Sequence, residues 1–274
     1  MKIMLLGATG VLGTALKKNI NLRKSKITSC GFSSKADLNF DALKKNNLKK
    51  YINKIKPNVI INCIVNRDVN KCIKDFFFGY NLNIKVCKAI ISEIIGKKIH
   101  LIHFSTDQVY NNKTKNRKFV QRIDPINNYG LTKYIGENIV LAHKYSTIIR
   151  TNFYNNKLTE NQSFSEWIVK NLKNNRKINL PYNNIFNPIS TDNLSNIVSK
   201  IIKFKVYGTY DIGSNEVYSK YKFAMKIANK YNLNKKLIKK YKNFPQISMR
   251  SNNTYLDNKK IEKKLNIKIN NELI

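Results

Sequence analysis

Tyr129 and Lys133 stand four residues apart in Tyr-Gly-Leu-Thr-Lys, about twenty residues after the run Ser105-Thr106-Asp107-Gln108. On a helix that spacing puts both side chains on one face. An ammonium beside a phenol lowers the phenol's pKa from its ordinary value of about 10. The phenol then exchanges a proton near neutral pH. Lys133 is also placed to hold ribose hydroxyls, and the hydroxyl of Thr106 to hold a substrate oxygen. The same spacing recurs at Tyr218, Tyr231 and Tyr255 in a chain with 15 tyrosines and abundant lysine, which is near chance. Only Tyr129 follows a Ser-Thr strand end and opens a helix, so position selects it, and the other three read as helix surface.

A second constellation is Gly7, Gly10 and Gly13 in Gly-Ala-Thr-Gly-Val-Leu-Gly, directly after the apolar run Lys2–Leu6. A strand that turns sharply into a helix while its backbone approaches a pyrophosphate favours residues without a Cβ. The helix N-terminus adds free N–H groups and the positive end of its dipole. The expected ligand is a dinucleotide.

These residues need strands and helices in alternation, and the apolar pattern supplies them. Strands are expected at Lys2–Leu6, Ile27–Phe32, Asn58–Asn62, Ile99–Phe104 and Thr147–Arg150, with helices at Asp41–Lys56, Phe76–Ile95 and Asn128–His143. That rhythm means βαβ units and a doubly wound parallel sheet of the Rossmann type. After Arg150 it loosens into helices at Glu160–Leu172, Leu194–Phe204, Lys220–Tyr231 and Tyr255–Leu265, with strands at Lys177–Leu180 and Gly208–Gly213. Residues 1–152 are thus expected to form the dinucleotide-binding half. Residues 153–274 form a smaller C-terminal α/β substrate lobe, with about 185–212 packing back on the sheet.

At the end of the second strand, an acid would hydrogen-bond the ribose hydroxyls of NAD, whereas small polar or basic residues admit a 2′-phosphate. Ser33, Ser34 and Lys35 precede Asp37 there, which tilts the choice toward NADP over NAD. Asp37 and Leu38 are placed beside the adenine.

The chain has 274 residues, with 51 Lys and Arg against 16 Asp and Glu, a net charge of +35. The excess is lysine, dispersed and accompanied by asparagine and isoleucine, as A/T-rich codons produce. Nucleic acid is therefore not expected as a partner, although such a field attracts acidic small substrates. No stretch is long and apolar enough for a membrane span, and the glycines interrupt any signal-peptide reading of the N-terminus. Four cysteines without C-x-x-C spacing read as reduced, buried thiols in a cytoplasmic protein. His100, His103 and His143 lack metal-ligand spacing. Trp167 and Phe76–Phe78 are expected in the core.

Gly7–Gly13, Ser105–Tyr110 and Tyr129–Glu137 together resemble the extended short-chain dehydrogenase/reductases, and within them the dTDP-4-dehydrorhamnose reductase family. Val59–Asn62, Ile149-Arg150-Thr151, Asn187-Pro188, Asp192-Asn193-Leu194 and Arg250–Lys260 extend the resemblance over nearly the whole chain. It implies hydride transfer from NAD(P)H to the 4-keto carbon of a nucleotide-linked deoxysugar, with Thr106, Tyr129 and Lys133 as the catalytic set. The expected cofactor contacts are Gly7, Thr9, Gly10, Val11, Leu12, Gly13, Ser33, Asp37, Leu38, Cys63, Tyr129 and Lys133. The expected substrate contacts are Ser105, Thr106, Asn152 and Arg250, the last as a bidentate diphosphate clamp.

The chain departs from the family where Gln108, Tyr110, Asn111 and Asn112 follow Thr106-Asp107, where Cys63 and Ile64 follow Asn62, and where Ser251 replaces a proline. Gln108 is an amide that exchanges no proton near neutral pH, which disfavours a dehydratase. An epimerase with bound NAD and a non-catalytic, cofactor-binding regulatory subunit remain as alternatives. A homodimer is compatible with either.

Overall fold

In the computed structural model, residues 1–270 are described except 33–34, 67, 112–121, 156–162 and 243–249. The chain runs through β1 (Lys2–Leu6), α1 (Val11–Lys18), α2 (Ile20–Arg23), β2 (Lys26–Gly31), β3 (Leu38–Asn39), α3 (Asn47–Ile55) and β4 (Val59–Asn62). Helices α4 (Val69–Lys74) and α5 (Phe76–Tyr80), a π-helical turn (Asn81–Lys85) and α6 (Val86–Ile94) lead to β5 (His100–Thr106). Then follow α7 (Asn128–Leu141), β6 (Ser146–Thr151), β7 (Phe153–Tyr154), α8 (Phe164–Lys173), β8 (Ile178–Pro181), β9 (Ile185–Phe186), β10 (Ile189–Ser190) and α9 (Thr191–Lys203). The chain closes with β11 (Gly208–Ile212), β12 (Tyr218–Ser219), α10 (Lys220–Lys230), β13 (Ile238–Tyr241) and α11 (Lys259–Leu265).

Seven strands form one sheet in the order β11-β6-β5-β4-β1-β2-β3, each pair parallel. The period of two along each strand sorts its side chains between two cores. Ile3, Leu5, Val59, Ile61, Ile102, Phe104 and Ile149 join α1, α9 and α11 on one face. Met4, Leu6, Ile60, Leu101 and Ile148 join α3 and α6 on the other. Burying each such side chain is worth about 1.5–3 kcal/mol, which is why these strands are apolar on both sides. The strand order reverses between β1 and β4, so the crevice that holds ligands in such sheets opens at their C-terminal ends. Around Phe223, a third core gathers α8, α10, β8, β9 and β12. Among the described residues no helix is long and apolar enough to cross a membrane.

Three expected helices differ. The expected start at Asp41 moves to Asn47, because the Asp41 carboxylate accepts from the Leu43 N–H and its carbonyl from Asn47 Nδ2, closing a turn. The expected single helix from Phe76 breaks at the π turn, where the Asn83 side chain donates to Thr132 Oγ1 at 3.1 Å and accepts from the Asn66 N–H. The last helix starts at Lys259 instead of Tyr255, since both polar ends of the Asn187 amide clamp the backbone of Leu256 in extended form. Helix α4 has no counterpart in the apolar pattern; Asp68 caps it on the Lys71 N–H. Two aromatic expectations fail: Phe77 is 72% exposed and Trp167 40% exposed. Trp167 lies stacked on Phe164 instead of in the core.

Candidate active site

The turn after β1 is built from backbone clearance. Gly7 has φ +72°, and a Cβ there would lie 2.8 Å from the Cys63 carbonyl carbon. A Cβ on Gly13 would lie 2.4 Å from the Gly7 carbonyl oxygen, so α1 leaves the strand at a distance that no side chain permits. Helix α1 starts from Gly10 with no side-chain cap. Its first N–H groups therefore keep their capacity for an anion. Thr9 reaches the end of β2 beside Gly31, and Val11 is partly exposed. Leu12 is buried in the core, so it offers a ligand only its backbone.

Two expected adenosine contacts are engaged elsewhere. The Asp37 carboxylate accepts from the Ser29 N–H at 2.9 Å and from Lys17 Nζ at 3.1 Å, and these partners hold it below the usual carboxylate range. Leu38 pairs with Cys30 in β3 and packs into the core against α3. Ser33 lies outside the described residues.

At the C-terminal end of β5 the chain turns through Asp107–Val109, and Thr106 Oγ1 accepts from the Gln108 N–H. Asn127 caps α7 on the Gly130 N–H at 2.8 Å. A Cβ on Gly130 would lie 2.3 Å from the Gln108 carbonyl oxygen, so the glycine lets the start of α7 press on that turn. Tyr129 and Thr106 are thereby brought together, and the Thr106 hydroxyl hydrogen-bonds the phenol. The Asp107 carboxylate accepts from Thr106 Oγ1 at 3.1 Å and from Asn152 Nδ2 at 2.7 Å. Asn152 thus braces the turn. Ser105 Oγ is buried without a partner among the described residues, and so is Arg250 Nε. Arg250 Nη2 donates to Asn70 Oδ1, and its charge acts on Tyr129.

One expectation is corrected. Lys133 is not among the charges that act on the phenol. Its ammonium, on a side chain 1% exposed, donates to the Phe104 carbonyl at 2.6 Å and lies 3.5 Å from His103 Nε2. Burial and the Asp107 carboxylate instead push the Tyr129 phenol up, against the Thr106 hydrogen bond and Arg250. In this state the phenol keeps its proton at neutral pH. His103 is held by Asn62 Nδ2 at 3.1 Å from its Nδ1. Burial and Lys133 keep its ring neutral. It lies against Lys133, a contact that spacing did not signal. Cys63 is partly buried, and desolvation pushes its thiol up.

Behind the site, Arg150 donates to Glu137 through Nε at 3.0 Å and Nη2 at 2.6 Å, and to the Tyr110 hydroxyl through Nη1 at 2.6 Å. Tyr110 donates in turn to Asp211 at 2.9 Å. This network ties α7 to β6 and β11.

The RmlD substrate binding domain profile matches residues 1–271. The chain belongs to this family. As an RmlD-domain protein it is 24% identical over 282 residues to a dTDP-4-dehydrorhamnose reductase of Aggregatibacter actinomycetemcomitans, covering 97% of this chain and 94% of the relative. It is 23% identical over 273 residues to methionine adenosyltransferase 2 subunit beta of Pongo abelii, covering 95% and 81%. A solved dTDP-4-dehydrorhamnose reductase of Clostridium acetobutylicum superposes with TM-score 0.87 at 25% identity, covering 100% and 95%. One from Bacillus anthracis, in complex with NADP, superposes with TM-score 0.84 at 22% identity, covering 96% and 92%. The RmlD-domain fold is that of the extended dehydrogenase/reductases, as the βαβ rhythm anticipated.

Proposed function

We propose that the chain reduces a nucleotide-activated 4-keto-deoxysugar with NADPH, as a dTDP-4-dehydrorhamnose reductase does. The observation that supports this reading is Tyr129 beside Thr106 at the end of β5, with Lys133 anchored on Phe104 of the same strand, across the sheet crevice from a glycine turn that admits no side chain. When bound, the reduced nicotinamide supplies the hydride. The Thr106 hydroxyl orients the ketone oxygen. As the carbonyl carbon gains the hydride, its oxygen becomes an alkoxide and takes the proton that Tyr129 carries. A phenol held protonated by burial and Asp107 is suited to that direction. Lys133 is anchored within reach of the same helix face, where a ribose hydroxyl can replace part of its Phe104 contact. NADP is favoured over NAD because the first acid after β2, Asp37, is committed to Ser29 and Lys17. The four cysteines are unpaired, which fits a reducing compartment, and we place the protein in the cytoplasm. We divide the chain at residue 152 into a dinucleotide half and a substrate lobe, with about 185–212 packing back on the sheet. The β11 strand and the α9 helix serve the first half.

The test is loss of NADPH absorbance with a panel of 4-keto nucleotide sugars, alongside NADH. Turnover with dTDP-4-dehydrorhamnose supports the proposal. Tight NADP binding without turnover of any 4-keto sugar supports a second reading, a non-catalytic subunit. Similarity to methionine adenosyltransferase 2 subunit beta over 95% of the chain favours that second reading.

A further inference from the structure

Lys220 opens α10 in the lobe, and its ammonium lies 3.4 Å from the centre of the Phe186 ring and 4.8 Å from that of Phe164. Aromatic faces stabilise a cation without neutralising it. Among the described residues no carboxylate or carbonyl accepts a hydrogen bond from it. The charges that act on it are Asp107, which favours its protonated form, and Arg250, which opposes it. The same two groups act on Tyr129. Lys220, Arg250, Asp107 and the phenol therefore lie within electrostatic reach of one another. There two cations act on one carboxylate, and the carboxylate is already shared with Thr106, Gln108 and Asn152. Arg250 keeps a buried Nε without a partner. The balance is an unmet positive charge beside the reacting centre.

We propose that Lys220 is a substrate-binding residue, its ammonium meeting the diphosphate of the nucleotide sugar together with the guanidinium of Arg250. This rests on the nucleotide-sugar reading above and adds the residue that makes binding depend on pH. Desolvation and Arg250 bring the free ammonium down to about 7. A diphosphate restores the missing counter-charge, so binding draws a proton onto Lys220. Affinity is then greatest below pH 7 and falls above it. The limit is about tenfold per pH unit, for one proton taken up. The guanidinium of Arg250 keeps its charge across this range.

The experiment is calorimetric titration of the NADPH-bound protein with dTDP-glucose, whose diphosphate holds constant charge from pH 6 to 9 and which has no ketone to reduce. The wild type is expected to weaken by tenfold or more from pH 7 to 8.5. Near pH 8 its heat should vary with buffer ionisation enthalpy, reporting proton uptake. K220M should bind at least tenfold more weakly at pH 6.5, with flat pH dependence and unchanged NADPH affinity. K220R, which stays charged, should keep its affinity at pH 8.5. If K220M binds dTDP-glucose as the wild type does at pH 6.5, the inference is overturned. If dTDP-glucose fails to bind but pyrophosphate binds in a Lys220-dependent way, the anion site stands and the nucleotide-sugar reading falls. Binding of neither probe overturns both.

Discussion

Asp211 offers a test of the electrostatics behind the site, through the substitution D211N. Arg150 is the single guanidinium between two carboxylates, Glu137 and Asp211, and only Glu137 contacts it directly. Burial, with Glu137 and Asp257, raises Asp211 from the ordinary 3.8 to about 6, against the Tyr110 hydrogen bond and Arg150. Below about pH 4 the carboxyl is protonated in both folded and unfolded chains and contributes nothing. Between there and pH 6 the folded protein holds a proton that the unfolded chain has released, so stability falls as pH rises. Above pH 6 both states are ionised, and the penalty is constant at about 3 kcal/mol, at 1.36 kcal/mol for each pH unit. Asparagine resembles the neutral acid and still accepts from Tyr110. D211N should therefore gain about 1–3 kcal/mol at pH 7.5, or several degrees in Tm for a chain this long. The gain should shrink to about a third of its plateau by pH 4.5 and vanish only below pH 4. Urea melts of wild type and variant across pH 4.5–8 measure the difference. A variant that is less stable by the same amount at every pH refutes the reasoning, because it would mean that the charged form is the favoured one.

Four further outcomes are expected. G13A should weaken NADPH binding by tenfold to a hundredfold, since overpacking against backbone costs about 1–3 kcal/mol. G10A should do less by fluorescence titration, because its Cβ would meet only the Gly7 oxygen, at 3.4 Å. R150M strands the Glu137 carboxylate, which is fully buried, and should cost about 3–5 kcal/mol in urea melts, with E137L in the same chain recovering most of it. H103L removes the ring beside Lys133 and leaves Asn62 Nδ2 unpaired. It should cost about 1–3 kcal/mol of stability and lower kcat by a few fold, because Phe104 still anchors the ammonium.

The sheet was legible because each central strand is a short apolar run ending in glycine, asparagine or Ser-Thr. Its chemistry was legible because Gly7–Gly13 and Tyr129–Lys133 fall at strand ends, where backbone clearance and helix spacing leave few alternatives. Contacts between distant segments were not. Nothing near His103 in sequence points to Asn62 or Lys133, and nothing near Lys220 points to Phe186, Asp107 or Arg250. Local propensity also hid the π turn, whose register is set by Asn83 reaching across to Thr132. Asp37 was misplaced for the same reason: its partners, Ser29 and Lys17, lie on a neighbouring strand and helix.

The most direct measurement is the steady-state rate of Y129F with NADPH and dTDP-4-dehydrorhamnose, beside its NADPH dissociation constant. Removing a positioned proton donor costs about a hundredfold to ten-thousandfold in rate. The expected result is a fall in kcat of that size with NADPH affinity within about twofold of wild type. Undiminished turnover by Y129F would contradict the assignment of the phenol as the proton donor.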